Sequence, residues 1–227
     1  MKTFVINLDS ATDRWKHYEN TDYHRWRATP YQEVTQEQRD RMCSIWNTPP
    51  KTHSCKTACF FSHYSLWEHI AKHKLNDVLI LEDDAKVINT AVLKKNSFSR
   101  DGITYLGGAL HSPKMTDKFI KVELEKGIHL IDFTKYRVLM TMSYYIPKHE
   151  IAQKLIKMVD SKKRTRAIDV MLGDIKNNNE LNAYISYPAS VIERPNESQI
   201  QSSSRTKYAN ELYCFGLAFH HSINLPL

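Results

Sequence analysis

The chain has 227 residues, 41% of them hydrophobic, and 32 Lys and Arg against 25 Asp and Glu give a formal net charge of +7. That length suits a single α/β domain over 1–227, and only 6 glycines exclude a fibrous or repeat protein. No apolar run reaches the roughly 20 residues that a membrane-spanning helix needs, and the basic balance suits anionic partners of several kinds without choosing among them.

In chain order, Lys2 to Leu8 (KTFVINL) reads as a buried first strand, and DSATDRWKHYEN as a turn into a helix with Ser10 or Thr12 available as N-cap. The opening stretch has too short an apolar core for a signal peptide, so Met1 is expected to start a folded, cytoplasmic domain. Gln32 to Trp46 is helix-compatible, and Pro49-Pro50 marks a loop. Lys56 to Lys74 predicts a long helix, because Phe60, Tyr64, Trp67, Ile70 and Ala71 recur at three- and four-residue steps. Val78 to Leu81 (VLIL) is a continuous apolar strand of the kind buried in a parallel sheet, and it runs straight into Glu82-Asp83-Asp84.

Ile103 to Leu106 leads into Gly107-Gly108, Arg137 to Ile146 reads as one buried strand closed by Pro147, and Lys148 to Val159 has helical spacing. Asp169 to Ile175 predicts a short helix, Asn177 to Asn179 a turn, and Asn182 to Tyr187 a strand. Residues 193–227 turn polar, as a mobile loop or lid would. Strands and helices alternate, which argues for an α/β architecture.

Three carboxylates at the end of a buried strand repel one another and are costly beside a low-dielectric sheet. If the backbone stays extended, Glu82 and Asp84 share one side and suit a hard divalent cation, Mg²⁺ or Mn²⁺. The cluster also falls at the carboxyl end of its strand, where open α/β sheets place their ligand crevice. The competing reading is an acidic cap on a following helix.

Six blocks in register resemble glycosyltransferase family 25, the family of bacterial lipopolysaccharide and collagen galactosyltransferases. They are VINLDSATDR (Val5 to Arg14), CFFSHYSLWEHI (Cys59 to Ile70), LILEDDA (Leu79 to Ala85), SYYIP (Ser143 to Pro147), AIDVML (Ala167 to Leu172) and YPASVIERPNESQI (Tyr187 to Ile200). The chain departs from the family pattern at Cys55-Lys56-Thr57-Ala58, where glycines and an acidic residue are common, and between Trp26 and Pro50.

The resemblance implies a GT-A type fold, a single Rossmann-like domain with a mixed, mostly parallel sheet. It also implies a UDP-sugar donor, Mn²⁺ or Mg²⁺, and inverting transfer of a hexose, galactose or glucose, to a hydroxyl of a glycan or glycoconjugate. Carried onto this chain, Glu82 and Asp84 are the metal pair and Asp83 holds ribose or sugar hydroxyls. Asn7, Leu8 and Arg14 lie beside the nucleotide, and Ser62 and His63 face the same crevice. Asp169 is the base that takes the acceptor's proton, or else an N-cap of its helix, with Glu193 in reserve.

Other residues leave alternatives open. Cys55, Cys59 and His63 share a helix face and match a zinc site loosely, and the four cysteines, Cys43 and Cys214 included, otherwise read as reduced thiols. His220 and His221 are a third metal ligand or a solvated pair, and Lys162 to Arg166 a phosphate grip or a solvated basic run. Trp67 reads as core, whereas Trp15, Trp26 and Trp46 are open to sugar stacking. The basic face is expected to touch an anionic membrane at its inner side. No nucleic-acid-binding signature stands out, and an inactive scaffold is disfavoured because an idle site has little reason to crowd three carboxylates.

Overall fold

The computed structural model describes residues 1–42, 50–90, 93, 98, 100–111, 126–131, 137–173 and 181–194. Its first half contains β1 (Lys2–Asn7), α1 (Thr12–Trp15), β2 (His24–Arg27), a 3-10 turn at Tyr31–Glu33, α2 (Gln36–Arg41), α3 (Pro50–Lys72), β3 (Val78–Glu82) and β4 (Ala85–Val87). There follow β5 (Gly102–Tyr105), β6 (Ala109–His111), β7 (Gly127–Leu130), β8 (Arg137–Leu139) and β9 (Ser143–Ile146). α4 (His149–Asp160), α5 (Ile168–Gly173), β10 (Asn182–Tyr187) and β11 (Val191–Glu193) complete the described elements.

The main sheet has 7 strands in the order β2-β1-β3-β9-β5-β10-β7. β2, β1 and β3 pair in parallel, β9 reverses between β3 and β5, β10 runs parallel to β5, and β7 reverses at the edge. All but β9 and β7 therefore point one way, so the sheet is mixed and mostly parallel, as expected. β1 and β3 are buried on both faces: Phe4, Ile6, Val78 and Ile80 enter one apolar cluster with Trp67 and Ile70 of α3, and Val5, Leu79 and Leu81 enter the other. That two-sided burial is why the sequence of these strands is continuously apolar rather than alternating.

α3 begins six residues earlier than the spacing predicts. Pro50 is its first residue rather than part of a loop, a position where the missing N–H has no intrahelical partner to lose. At about 1.5 Å per residue its 23 residues span roughly 35 Å. The helix buries Leu66, Trp67 and Ile70 toward its C-terminal end but Ser54, Thr57, Ser62 and His63 toward its N-terminal end. From Ser54 to His63 it thus presents polar atoms to the interior along with Ala58 and Phe60. α1 carries no side-chain cap, since Ala11 holds the N-cap position instead of Ser10 or Thr12.

The expected single strand 137–146 is two. β8 pairs with β6 in a small separate sheet, β9 joins the main sheet, and Met140 between them has φ +69°. A left-handed backbone at a non-glycine residue costs on the order of 1–3 kcal/mol and is held only where its surroundings dictate it. A second unexpected pairing is β11 with β4, which sets Glu193 opposite Ala85. Gly107 makes room for it, since a Cβ there would lie 2.1 Å from the Val191 carbonyl oxygen. The predicted lid therefore begins as a strand, and the rest of it, with Asn177 to Asn179, Trp46, Cys43, Cys214, His220 and His221, lies outside the described residues.

Candidate active site

The parallel register of β1 and β3 pairs Ile6 with Glu82, so Asn7 falls beside Asp83 at the carboxyl ends of both strands. The Asn7 amide donates to Asp83 Oδ2 at 2.8 Å and to the Ala11 carbonyl at 3.1 Å, while its Oδ1 accepts from Arg25 Nε at 2.8 Å. Arg14 Nη1 donates to Asp83 Oδ1 at 2.7 Å. Both oxygens of Asp83 are thus engaged by the chain itself.

Asp84 is different. The backbone turns at Asp83 and Asp84 so that β4 can run back to meet β11, and the extended alternation that would set Glu82 and Asp84 side by side does not hold. Among the described residues Asp84 Oδ1 is buried without a hydrogen-bond partner, and Oδ2 lies 3.9 Å from Arg14 Nη1. Burial first, then the neighbouring Glu82, Glu193 and Asp83, push its carboxyl up to about 8, against the pull of Arg14. Glu193 reaches this group through the β4–β11 pairing, and the Arg194 N–H donates to the Asp84 carbonyl at 2.6 Å.

The break after β8 serves two further carboxylates. The Thr141 hydroxyl donates to Glu82 Oε1 at 2.6 Å, and the Met140 N–H donates to Asp169, whose Oδ1 also accepts from the Val170 N–H at 2.8 Å. Asp169 is the second residue of α5 and does not cap it; Ala167 supplies the carbonyl for the first turn. Burial raises the Asp169 carboxyl above the usual carboxylate range and Glu82 adds to the rise, while the two backbone donors and Lys56 oppose it.

These groups surround a cavity of about 470 Å³. Its strand-end wall carries Leu8, Arg14, Glu82, Asp83, Asp84 and Glu193, and Asp169 lines it from α5. The α3 wall carries Ser62 and His63, so of the site residues that the family resemblance implies Asn7 alone is absent from the lining, and Trp15, Trp26 and Lys162 to Arg166 lie outside it too. Asn7 is fully buried and acts as the tie between β1, Asp83 and Arg25. Ser62 Oγ accepts from the Thr29 N–H at 2.8 Å and donates to the Ala58 carbonyl at 2.7 Å. His63 Nδ1 shares a 2.8 Å hydrogen bond with the Tyr144 hydroxyl, which also accepts from Trp67 Nε1 at 2.9 Å. Trp67 is core, as its place on the apolar stripe implies.

The sequence reading missed Met140, Thr141 and Tyr144. All three fall in Arg137 to Ile146, read as one apolar strand, and nothing in that stretch reveals a break at Met140 or that the Tyr144 phenol meets a helix. Tyr31, Lys51 and Lys56 also line the cavity and lie in or beside the stretch that matches the family pattern poorly.

The chain matches the family described as glycosyltransferase family 25 (LPS biosynthesis protein) over residues 1–172. It belongs to that family and is a glycosyltransferase, working between a donor and an acceptor, on a mixed, mostly parallel α/β sheet. No curated protein sequence matches it significantly. Solved structures similar to it include the CTP:phosphocholine cytidylyltransferase LicC from Streptococcus pneumoniae, at 14% identity and a TM-score of 0.43, covering 92% of this chain and 77% of that one. Among the described residues no helix is long and apolar enough to cross a membrane.

Proposed function

We propose that this glycosyltransferase moves a hexose, galactose or glucose, from a UDP-sugar to a hydroxyl of a glycan or glycoconjugate, with inversion and with Mn²⁺ or Mg²⁺ at the acidic end of the cavity. The observation that carries this reading is Asp84: a carboxylate with a buried oxygen unpartnered among the described residues, pressed by Glu82, Glu193 and Asp83. A hard cation suits such oxygen donors and would hold Asp84 ionised, reversing the upward push on its carboxyl. Asp84 is the principal ligand in this account, with Glu82 and Glu193 beside it. Bound there, the cation supplies positive charge where the donor's diphosphate leaves.

The chain's own groups account for the rest. Asp83, fixed by Asn7 and Arg14, braces the loop that carries Asp84 and orients Arg14 at the cavity wall. Leu8 gives an apolar surface beside the nucleotide. Asp169 is the base. Burial makes its carboxylate a better proton acceptor, and the Met140 and Val170 N–H groups fix its direction. The acceptor hydroxyl passes its proton to Asp169 as its oxygen bonds to the anomeric carbon. The bond from that carbon to the diphosphate breaks with its electron pair on the leaving UDP, which gives inversion in one displacement. The basic balance of the chain (+7) supports contact with an anionic membrane surface that carries such acceptors.

A panel of UDP-, GDP- and CMP-sugars with Mn²⁺, Mg²⁺ or EDTA tests this reading. Metal-dependent release of UDP from one UDP-hexose is expected. Turnover undiminished in EDTA, or release from a GDP- or CMP-sugar instead, overturns it.

A further inference from the structure

Across Glu82 from the Asp84 side, the cavity holds a second constellation with different chemistry. Cys59 and His63 stand four residues apart on α3 and so share one face of the helix. Glu82, at the end of β3, meets that face: its Oε1 is 3.4 Å from His63 Nε2. Cys59 Sγ, a His63 ring nitrogen and a Glu82 oxygen all lie within 4.8 Å of one another. Ligands at roughly 2.0–2.3 Å from a tetrahedral zinc ion stand about 3.3–3.7 Å apart, so the three atoms reach a common centre by closing in by up to about 1 Å.

Two further observations point to a ligand. His63 is fully buried, and among the described residues its Nε2 has no hydrogen-bond partner. Its other nitrogen is tied to Tyr144, itself held by Trp67, which fixes the ring with Nε2 toward Glu82. A ligating imidazole needs this kind of support from its far nitrogen. The same tie argues against a Cys–His–Glu nucleophilic triad, where the two nitrogens must face the thiol and the carboxylate separately.

The geometry points to a transition-metal site, Cys59–His63–Glu82, that binds Zn²⁺ with its fourth position open to the cavity. Two ligands at i and i+4 on a helix and a third from elsewhere is the format of open, three-ligand zinc sites. The sulfur–nitrogen–oxygen set favours Zn²⁺ or Co²⁺ over Mg²⁺ or Mn²⁺, whose preference for oxygen fits the Asp84 side instead. All three residues line the cavity, so the open position faces the space where a water, a hydroxyl or a phosphate oxygen enters. Glu82 is common to both sites, and zinc here therefore competes with the cation proposed beside Asp84 for that carboxylate.

Titration of the metal-free protein with Co²⁺ tests the assignment without reference to turnover. One Co²⁺ per chain is expected, with an intense thiolate-to-metal band in the near ultraviolet that Zn²⁺ displaces. Cys59→Ser loses the band, whereas Cys55→Ala, one turn earlier on α3, and Asp84→Asn keep it. In the wild-type protein, where folding of a variant is not at issue, Zn²⁺ should slow iodoacetamide labelling of Cys59 at least tenfold. No thiolate band in the wild type, a band that survives Cys59→Ser, or a Cys59 labelling rate indifferent to Zn²⁺ overturns the site. Loss of metal-dependent transfer in Asp84→Asn with the cobalt band intact separates the fate of this site from that of the transfer reading.

Discussion

The two ends of β3 carry the same chemical group in opposite circumstances. At the amino end Asp77 accepts from the Tyr145 hydroxyl and from Arg100 Nη1 at 2.7 Å, and the Tyr145 bond above all holds its carboxyl below the usual range. Nearby, Asp101 accepts from Asn182 Nδ2 at 2.7 Å and the Tyr184 hydroxyl at 2.9 Å. At the carboxyl end Asp84 has a buried oxygen with no donor among the described residues and a carboxyl pushed up to about 8. One end is finished by the chain; the other is left to be completed by something that binds. A buried carboxylate left strained among other carboxylates, where Asp77 and Asp101 are compensated, points to a functional site.

The contrast breaks most visibly through the groups that serve the carboxyl end. Asp169→Asn should lower kcat by about 10²–10⁴-fold, the usual worth of a general base, while UDP affinity stays within a few-fold. Transfer at the wild-type rate would remove Asp169 from that role.

The pH dependence of stability follows next, with opposite signs at the two ends. Asp84 binds an extra proton in the folded state between its ordinary value of 3.8 and about 8, so its stabilising contribution is present at low pH and fades as pH rises through that window. Asp77, shifted downward, contributes above its ordinary range and loses that contribution as pH falls. Thermal melts of metal-free protein should therefore show wild type losing ground to Asp84→Asn as pH is raised from about 5 to about 8. Parallel curves would mean that Asp84 is not strained in the folded chain. The smallest effect is expected at the finished end: Tyr145→Phe should cost about 1 kcal/mol in denaturant unfolding and leave transfer per folded molecule unchanged.

Much of this was legible in the sequence because it is local or periodic. The apolar VLIL run, the stripe of α3 and the strand at Asn182 to Tyr187 needed only pattern and period, and the EDD cluster at a strand's carboxyl end marked the site. What escaped was set by partners far along the chain. The turn at Asp83–Asp84 depends on β4 meeting β11 more than a hundred residues later, and this turn, rather than extended alternation, leaves Glu82, Asp84 and Glu193 on one cavity. Asn7 read as a nucleotide contact, and the β1–β3 register instead spends its amide on Asp83. The Met140 kink has no glycine or proline to announce it, because Asp169 and Glu82 receive what the kink provides. The phenol of Tyr144 is likewise defined by Trp67 and His63, on a helix some eighty residues upstream.

The central claim, that the acidic end of the cavity holds a divalent cation for the donor's diphosphate, is tested most directly by calorimetry of UDP binding in Mn²⁺ and in EDTA, for wild type and Asp84→Asn. The account predicts that UDP binds wild type in Mn²⁺ and weakens at least tenfold both in EDTA and in the variant. Equal UDP affinity with and without metal, or in the variant and the wild type, would contradict it.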